Sequence, residues 1–136
     1  MARGSETRDV DLAFGEKRLH AAHAYVKQAR LSAEAATDSY ERASAVSSAV
    51  LAAIAAADAT CALKLRQVSK GDHAQAHTLL RQVVGAGDAA NGLQRLVSQK
   101  ASVQYLAESV TASKLEAALR QAQIVVDFAD RLYRER

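Results

Sequence analysis

Proline and tryptophan are absent from this chain, and it has 6 glycines, one cysteine, one methionine and 4% aromatic residues. Proline removes a backbone donor and breaks helix interiors, so its absence permits long uninterrupted helices. Strands favour Val, Ile, Tyr, Phe and Thr in alternating runs, and no convincing run of that kind is present. One cysteine, Cys61, excludes an intrachain disulfide. On an apolar helix face it reads as a small buried hydrophobe suited to a reducing compartment. The N-terminal MARGSETRDVD lacks the apolar core of a secretory leader, so the expected location is cytoplasmic.

Alanine dominates the apolar residues of the 136-residue chain, a length that suits one domain. The expected class is all-α, an up-and-down antiparallel bundle of four to five helices. Residues 1–11 read as a mobile tail and residues 12–136 as a single helical domain. The first helix is expected over 12–36, with a stripe of Leu19, Ala22, Val26, Ala29 and Ala33. The second is expected over 39–68, with Val46, Val50, Ile54, Ala57, Cys61, Leu65 and Val68 inward. The third, over 73–84, opens after SKGD with Asp72 as cap and buries Ala76, Leu79, Leu80 and Val83. GAGD leads to a fourth helix over 89–108, with Asp88 as its candidate cap. Thr111 should cap the last helix, with Val110 and Leu115 as a hydrophobic staple and a stripe of Leu115, Leu119, Ala122, Val126, Ala129 and Tyr133. The run from Ala43 to Leu63 carries one charge and has the length of a membrane span, but its alanine and serine content reads as a buried bundle helix; no membrane partner is expected.

Eighteen basic residues against 15 acidic give a net charge of +3, too mild to declare a nucleic-acid binder by itself. The distribution is uneven. From Ala59 to Ala107 the chain carries Lys64, Arg66, Lys70, Arg81, Arg95 and Lys100 against Asp72 and Asp88, so this segment can present a basic face. Phosphate-binding glycine loops, a serine elbow, HExxH and paired ExxH motifs are all absent, which removes the common enzyme classes that need them and leaves no cofactor motif.

Four constellations remain. Asp58 interrupts an apolar helix and needs a partner or a proton; His77 and Arg81 are placed by the turn to face it, as a core polar pair between the second and third helices, or as a site. Arg66 and His73 span the same turn. An arginine can stabilise a phosphate while a histidine moves a proton on a ribose hydroxyl, which makes them a candidate catalytic pair; the alternative is a helix-end arginine followed by a first-turn histidine. His20, His23, His73 and His77 raise a histidine-based metal site, but the spacing carries no metal motif, and His20 and His23 share a face with Lys27 and Arg30. Lys100 falls in phase with Leu93, Leu96 and Val103, so it snorkels from the core, sits in an irregular turn, or points its charge into a groove.

The order of these features resembles the HEPN superfamily, the all-helical higher eukaryote and prokaryote nucleotide-binding domains. The resemblance covers roughly residues 15–135 and rests on AAIAAADATCAL, KGDHAQAHTLLRQV, LQRLVSQKASVQY, ESVT and the final ASKLEAALRQAQIVVDFADRLYRER. Catalytic members carry Arg-x4–6-His before the last helix, often followed by Tyr. Here Lys100 stands at the arginine position and Tyr105 at the aromatic, with Val103 or Gln104 where the histidine should be. The resemblance therefore implies a non-cleaving module that forms a homodimer and binds nucleotide, RNA or a partner protein, with Lys100, Gln104 and Tyr105 as binding residues. The alternative it implies is a metal-independent ribonuclease using Arg66 and His73.

Overall fold

The structure, a computed structural model, describes residues 6–71, 75–106 and 108–136, with backbone alone for 104–106. In chain order the elements are β1 (Thr7–Asp9), α1 (Leu12–Ala35), α2 (Ser39–Leu65), β2 (Gln67–Ser69), α3 (Ala76–Leu80), α4 (Gly87–Leu106) and α5 (Ala112–Glu135). The all-α bundle expected from the sequence is the fold. Its long helices start where short polar side chains satisfy free amides. Asp11 accepts from Phe14 N at 2.9 Å, Asp38 from Glu41 N at 2.8 Å, and Thr111 from Lys114 N at 3.1 Å. Glu41 also reaches back to accept from the Thr37 amide at 2.6 Å, which fixes the α1–α2 corner.

Cross-helix bonds set the directions. Arg18 meets Asp58, so α1 runs against α2. Val110 N donates to Ser39 Oγ at 2.8 Å near one end, and Tyr133 OH donates to the Ala59 carbonyl at 2.7 Å near the other, so α2 and α5 are parallel. His23–Asp130, Arg30–Gln123 and Glu16–Arg136 tie α1 against α5 along its length. Gln99 Nε2 donates to the Lys114 carbonyl across the antiparallel α4–α5 corner. Directions therefore alternate along α1, α2, α4 and α5, with α2 and α5 packed across the diagonal.

Alanine makes that diagonal contact short. Residues 52–57 of α2 are all buried, as are Ala45, Ala49, Ala59 and Ala62, so the helix is enclosed on nearly every side. A helix apolar all round belongs inside a protein or a membrane. By length and composition α2 is sufficient to cross a membrane, and most of it is buried within this fold. Gly15 of α1 lies at the tightest point. A Cβ there would stand 2.3 Å from the Tyr133 hydroxyl and 2.8 Å from Ala62 Cβ.

Four expectations change. Residues 7–9, placed in a mobile tail, form β1 and pair antiparallel with β2 in the register Thr7↔Ser69, Arg8↔Val68, Asp9↔Gln67. Val10 N to Arg66 O and Lys70 N to Glu6 O extend the ladder. Second, α2 ends at Leu65 rather than Val68, because Arg66 takes the left-handed conformation (φ 56°) and turns the chain into β2. Val68 is still buried, but from a strand. Third, α3 is a short helix. Its expected core set of Ala76, Leu79, Leu80 and Val83 is buried, yet i to i+3 bonds from Gln82 and Val83 tighten the chain into turns that leave Val84 exposed. Asp88 lies inside the first turn of α4, where a carboxylate favours the positive helix end, rather than at the cap. Asp72, the cap proposed for the third helix, lies outside the described residues.

Adding a methyl group at Gly15 should destabilise the fold despite alanine's better helix propensity. Gly15→Ala is expected to lower unfolding free energy by roughly 1–3 kcal/mol, whereas Gly87→Ala, with open space around its Cβ, is expected to be neutral or slightly stabilising. Urea denaturation followed by circular dichroism checks both; equal behaviour of the two variants contradicts the close approach.

Candidate functional site

Asp58 is half-buried on α2 and accepts from Arg18 Nε at 3.2 Å, with the two side chains 18% and 28% exposed. This partner is supplied by α1, because the α1–α2 hairpin brings Arg18 alongside, and it is not the whole of Asp58's surroundings. Arg81, expected to face Asp58, turns to α4 instead: its Nη2 donates to Asn91 Oδ1 at 2.9 Å and Gln94 Oε1 at 3.0 Å. His77 is half-buried, and its Nδ1 is enclosed without a hydrogen-bond partner. Burial first, and then the Arg81 charge, holds its pKa below the usual imidazole value, which favours the neutral ring. One turn beyond Asp58, the Cys61 thiol is 3% exposed. Burial, reinforced by the Asp58 charge, pushes it from an ordinary 9.0 up to about 12, so it is no nucleophile near neutrality.

Arg66 follows α2 as its cap. Its guanidinium donates to the carbonyl of Ala62 at 3.0 Å and to that of Leu63. The side chain thus closes the negative end of its own helix. His73, its proposed catalytic partner, lies outside the described residues.

Lys100 sits half-buried where α4 packs on the first turns of α2. It lines a recess of about 230 Å³ with Tyr40, Ser44, Ser47 and Val103. The helix around it is continuous to Leu106, so Lys100 is placed by a regular helix at the margin of the core rather than by an irregular turn. Tyr40, at the rim, is 87% exposed. Sequence reading passed over Tyr40; the available signal was an aromatic in the first turn of an otherwise alanine- and serine-rich helix. Gln104 and Tyr105, the other expected binding residues, have side chains outside the described set.

Around the outer face of α4, a second recess of about 530 Å³ is lined by Asn91, Gln94, Arg95, Ser98, Gln99 and Ser102. Among the described residues no carboxylate lines it, and Arg81 is anchored at its edge by Asn91 and Gln94. The basic middle segment is thus divided in space. Arg81, Arg95 and Lys100 belong to α4 and its approach, while Lys64, Arg66 and Lys70 gather where α2 passes into β2. As for the histidines, His20 is exposed and His23 meets Asp130 at 2.7 Å. Among the described residues no group of three His, Cys, Asp or Glu could hold a metal ion.

No protein-family model matches the chain, and no curated protein and no solved structure shows significant similarity to it.

Because the buried Cys61 stays protonated, the stability gained by burying it as a thiol is complete below pH 9 and is lost as pH rises from 9 towards 12. The native protein is expected to resist a disulfide-exchange reagent at neutral pH and to titrate one thiol in denaturant. Rapid modification of the folded protein would contradict this placement.

Proposed function

We propose that this chain is a non-catalytic helical module of HEPN type that binds nucleotide or single-stranded RNA along α4. One observation carries the reading: the exposed Tyr40 ring and the Lys100 side chain share a recess. That recess adjoins a helix whose outer face forms a second recess with Arg95 among amides and hydroxyls, where no described residue supplies a carboxylate. A single-stranded nucleic acid offers the complementary chemistry. Its bases stack on an aromatic ring, at about 1–3 kcal/mol per base, and its phosphates attract Lys and Arg with release of counterions. Asn, Gln and Ser donate to phosphate and sugar oxygens without needing a particular base.

The non-cleaving part of the reading is supported by two features of this chain. A Lys–x4–Tyr pattern at Lys100 and Tyr105 has no imidazole between its ends. The Arg66 guanidinium is engaged with the carbonyls of Ala62 and Leu63, which competes with holding a phosphate.

Fluorescence anisotropy with short single-stranded RNA tests the proposal. Three phosphate contacts, from Arg81, Arg95 and Lys100, give a log K against log salt slope of about −2, at roughly 0.7 per contact. Arg95→Ala should reduce the slope by about 0.7. Tyr40→Ala should weaken binding by about fivefold or more at constant slope, and the RNA should remain intact throughout. Absence of binding at low salt, or indifference to Lys100→Ala, overturns the reading.

A further inference from the structure

The recess of about 500 Å³ between the start of α4 and the outer face of α5 has the size of a small-ligand pocket. Asp88, Asp127 and Asp130 line it together with Arg131 and Arg134, so charges of both signs share it. On α5, Asp127 and Arg131 are four residues apart, as are Asp130 and Arg134, a spacing at which opposite charges ordinarily pair with each other. Here they are drawn elsewhere. Gln123 Nε2 donates to Asp127 Oδ1 at 2.8 Å, the Arg131 guanidinium lies 5.2 Å from the centre of the Phe128 ring, and Asp130 meets His23 of α1 at 2.7 Å. Asp88, Asp127, Arg131 and Arg134 are all exposed. The rest of the lining is apolar. Ile124 is 41% exposed, and Gly85, whose Cβ would stand 3.9 Å from Phe128 Cε1, borders that ring without covering it with a side chain.

We infer that this recess binds a free α-amino acid with an apolar side chain, in its zwitterionic form. The ligand's ammonium finds acceptors in Asp88 and in the Asp127 oxygen that Gln123 leaves over. Its carboxylate finds donors in Arg131 and Arg134, whose planar forks match two carboxylate oxygens. Both charges of an α-amino acid sit next to one carbon. With a hydrogen bond of about 3 Å on each side, such a molecule bridges groups one helical turn apart, as Asp127 and Arg131 are at about 6 Å along α5. Its side chain then lies on Ile124 and the edge of Phe128 and leaves water. A plain carboxylate would meet like charge at Asp88 and Asp127, and a plain amine would meet it at Arg131 and Arg134, so the zwitterion is selected over either half. Asp130 keeps its contact with His23. The inference stands apart from the RNA reading, since Tyr40, Arg95 and Lys100 line other recesses.

Titration of the isotope-labelled full chain with L-leucine, followed through its amide resonances, tests the inference. L-leucine is expected to shift the amides of Gly85, Asp88, Asp127 and Arg131 saturably, with a dissociation constant on the order of 1 mM. Isocaproate lacks the ammonium and isopentylamine lacks the carboxylate, and each should bind about tenfold more weakly or worse. Asp127→Asn and Arg131→Gln should each weaken L-leucine binding by about tenfold. Both side chains are exposed, so the melting curve should stay unchanged. Asp127→Asn should also narrow the gap between L-leucine and isocaproate, which a merely structural role for the carboxylate would not do. Absence of a saturable shift at the recess, or shifts confined to other faces, overturns the inference. Equal binding of either single-charge analogue, or unchanged affinity in both charge variants, overturns it as well.

Discussion

The fold depends on how closely α1 and α5 can approach α2. Alanine supplies little apolar area per residue, so an alanine-rich helix gains stability mainly when its neighbours reach its backbone and recover dispersion contacts from all sides. Gly15, Ala59, Ala62 and Tyr133 show the result at one level of the bundle. A missing side chain on α1 and small ones on α2 admit the tyrosine ring of α5, whose hydroxyl bonds a helix carbonyl. Larger residues do the filling from outside α2: Leu79, Leu80, Leu93, Leu96 and Val125 are all essentially inaccessible. The polar ties between α1 and α5 are exposed side-chain contacts of modest individual worth, so they set alignment more than stability.

This frame explains why polar groups on α4 are available. Because α2 occupies the diagonal with α5, α4 packs through Ala89, Ala90, Leu93 and Leu96 and keeps its opposite face in solvent. That face is presented on a rigid helix, and its side chains are partly fixed by one another, as Arg81 is by Asn91 and Gln94. Preorganised donors lose less conformational entropy when a ligand arrives. Lys100 adds a charge at the margin of the core, where a long aliphatic stem can lie along apolar neighbours while its ammonium reaches water.

Much of this frame was readable from the sequence, because helical burial repeats with the helix. Leu115, Ala122, Val126, Ala129 and Tyr133 are buried as the α5 stripe requires, and Thr111 caps the helix through Lys114 N. Val46, Val50, Ile54, Ala57 and Cys61 are buried on α2. The misses share a different origin. The β1–β2 pairing joins segments with no strand pattern, so its signal lies in tertiary hydrogen bonding rather than in either segment. Arg66 adopts a conformation usually left to glycine, which periodicity cannot register. Asp58 was matched to His77 and Arg81 because the intervening turn is short; Arg81 turns to Asn91 and Gln94 instead, and the α1–α2 hairpin brings Arg18 to Asp58, a contact that local spacing does not register. Tyr40 and the recess on α4 around Arg95 depend on which helix faces are left uncovered, a property of the assembled bundle.

The small β1–β2 ribbon has a consequence for the order in which the molecule assembles. Its residues pair across some sixty positions of chain, so forming it first would close a long loop for only a few hydrogen bonds. The α1–α2 hairpin removes that difficulty by carrying both segments to the same end of the bundle. The ribbon therefore closes late, after the two helices have aligned, and it is drawn from the low-stability end of the structure. In the native state its amides should open without unfolding the bundle, so that the first strand acts as a clasp on a frame that is already built.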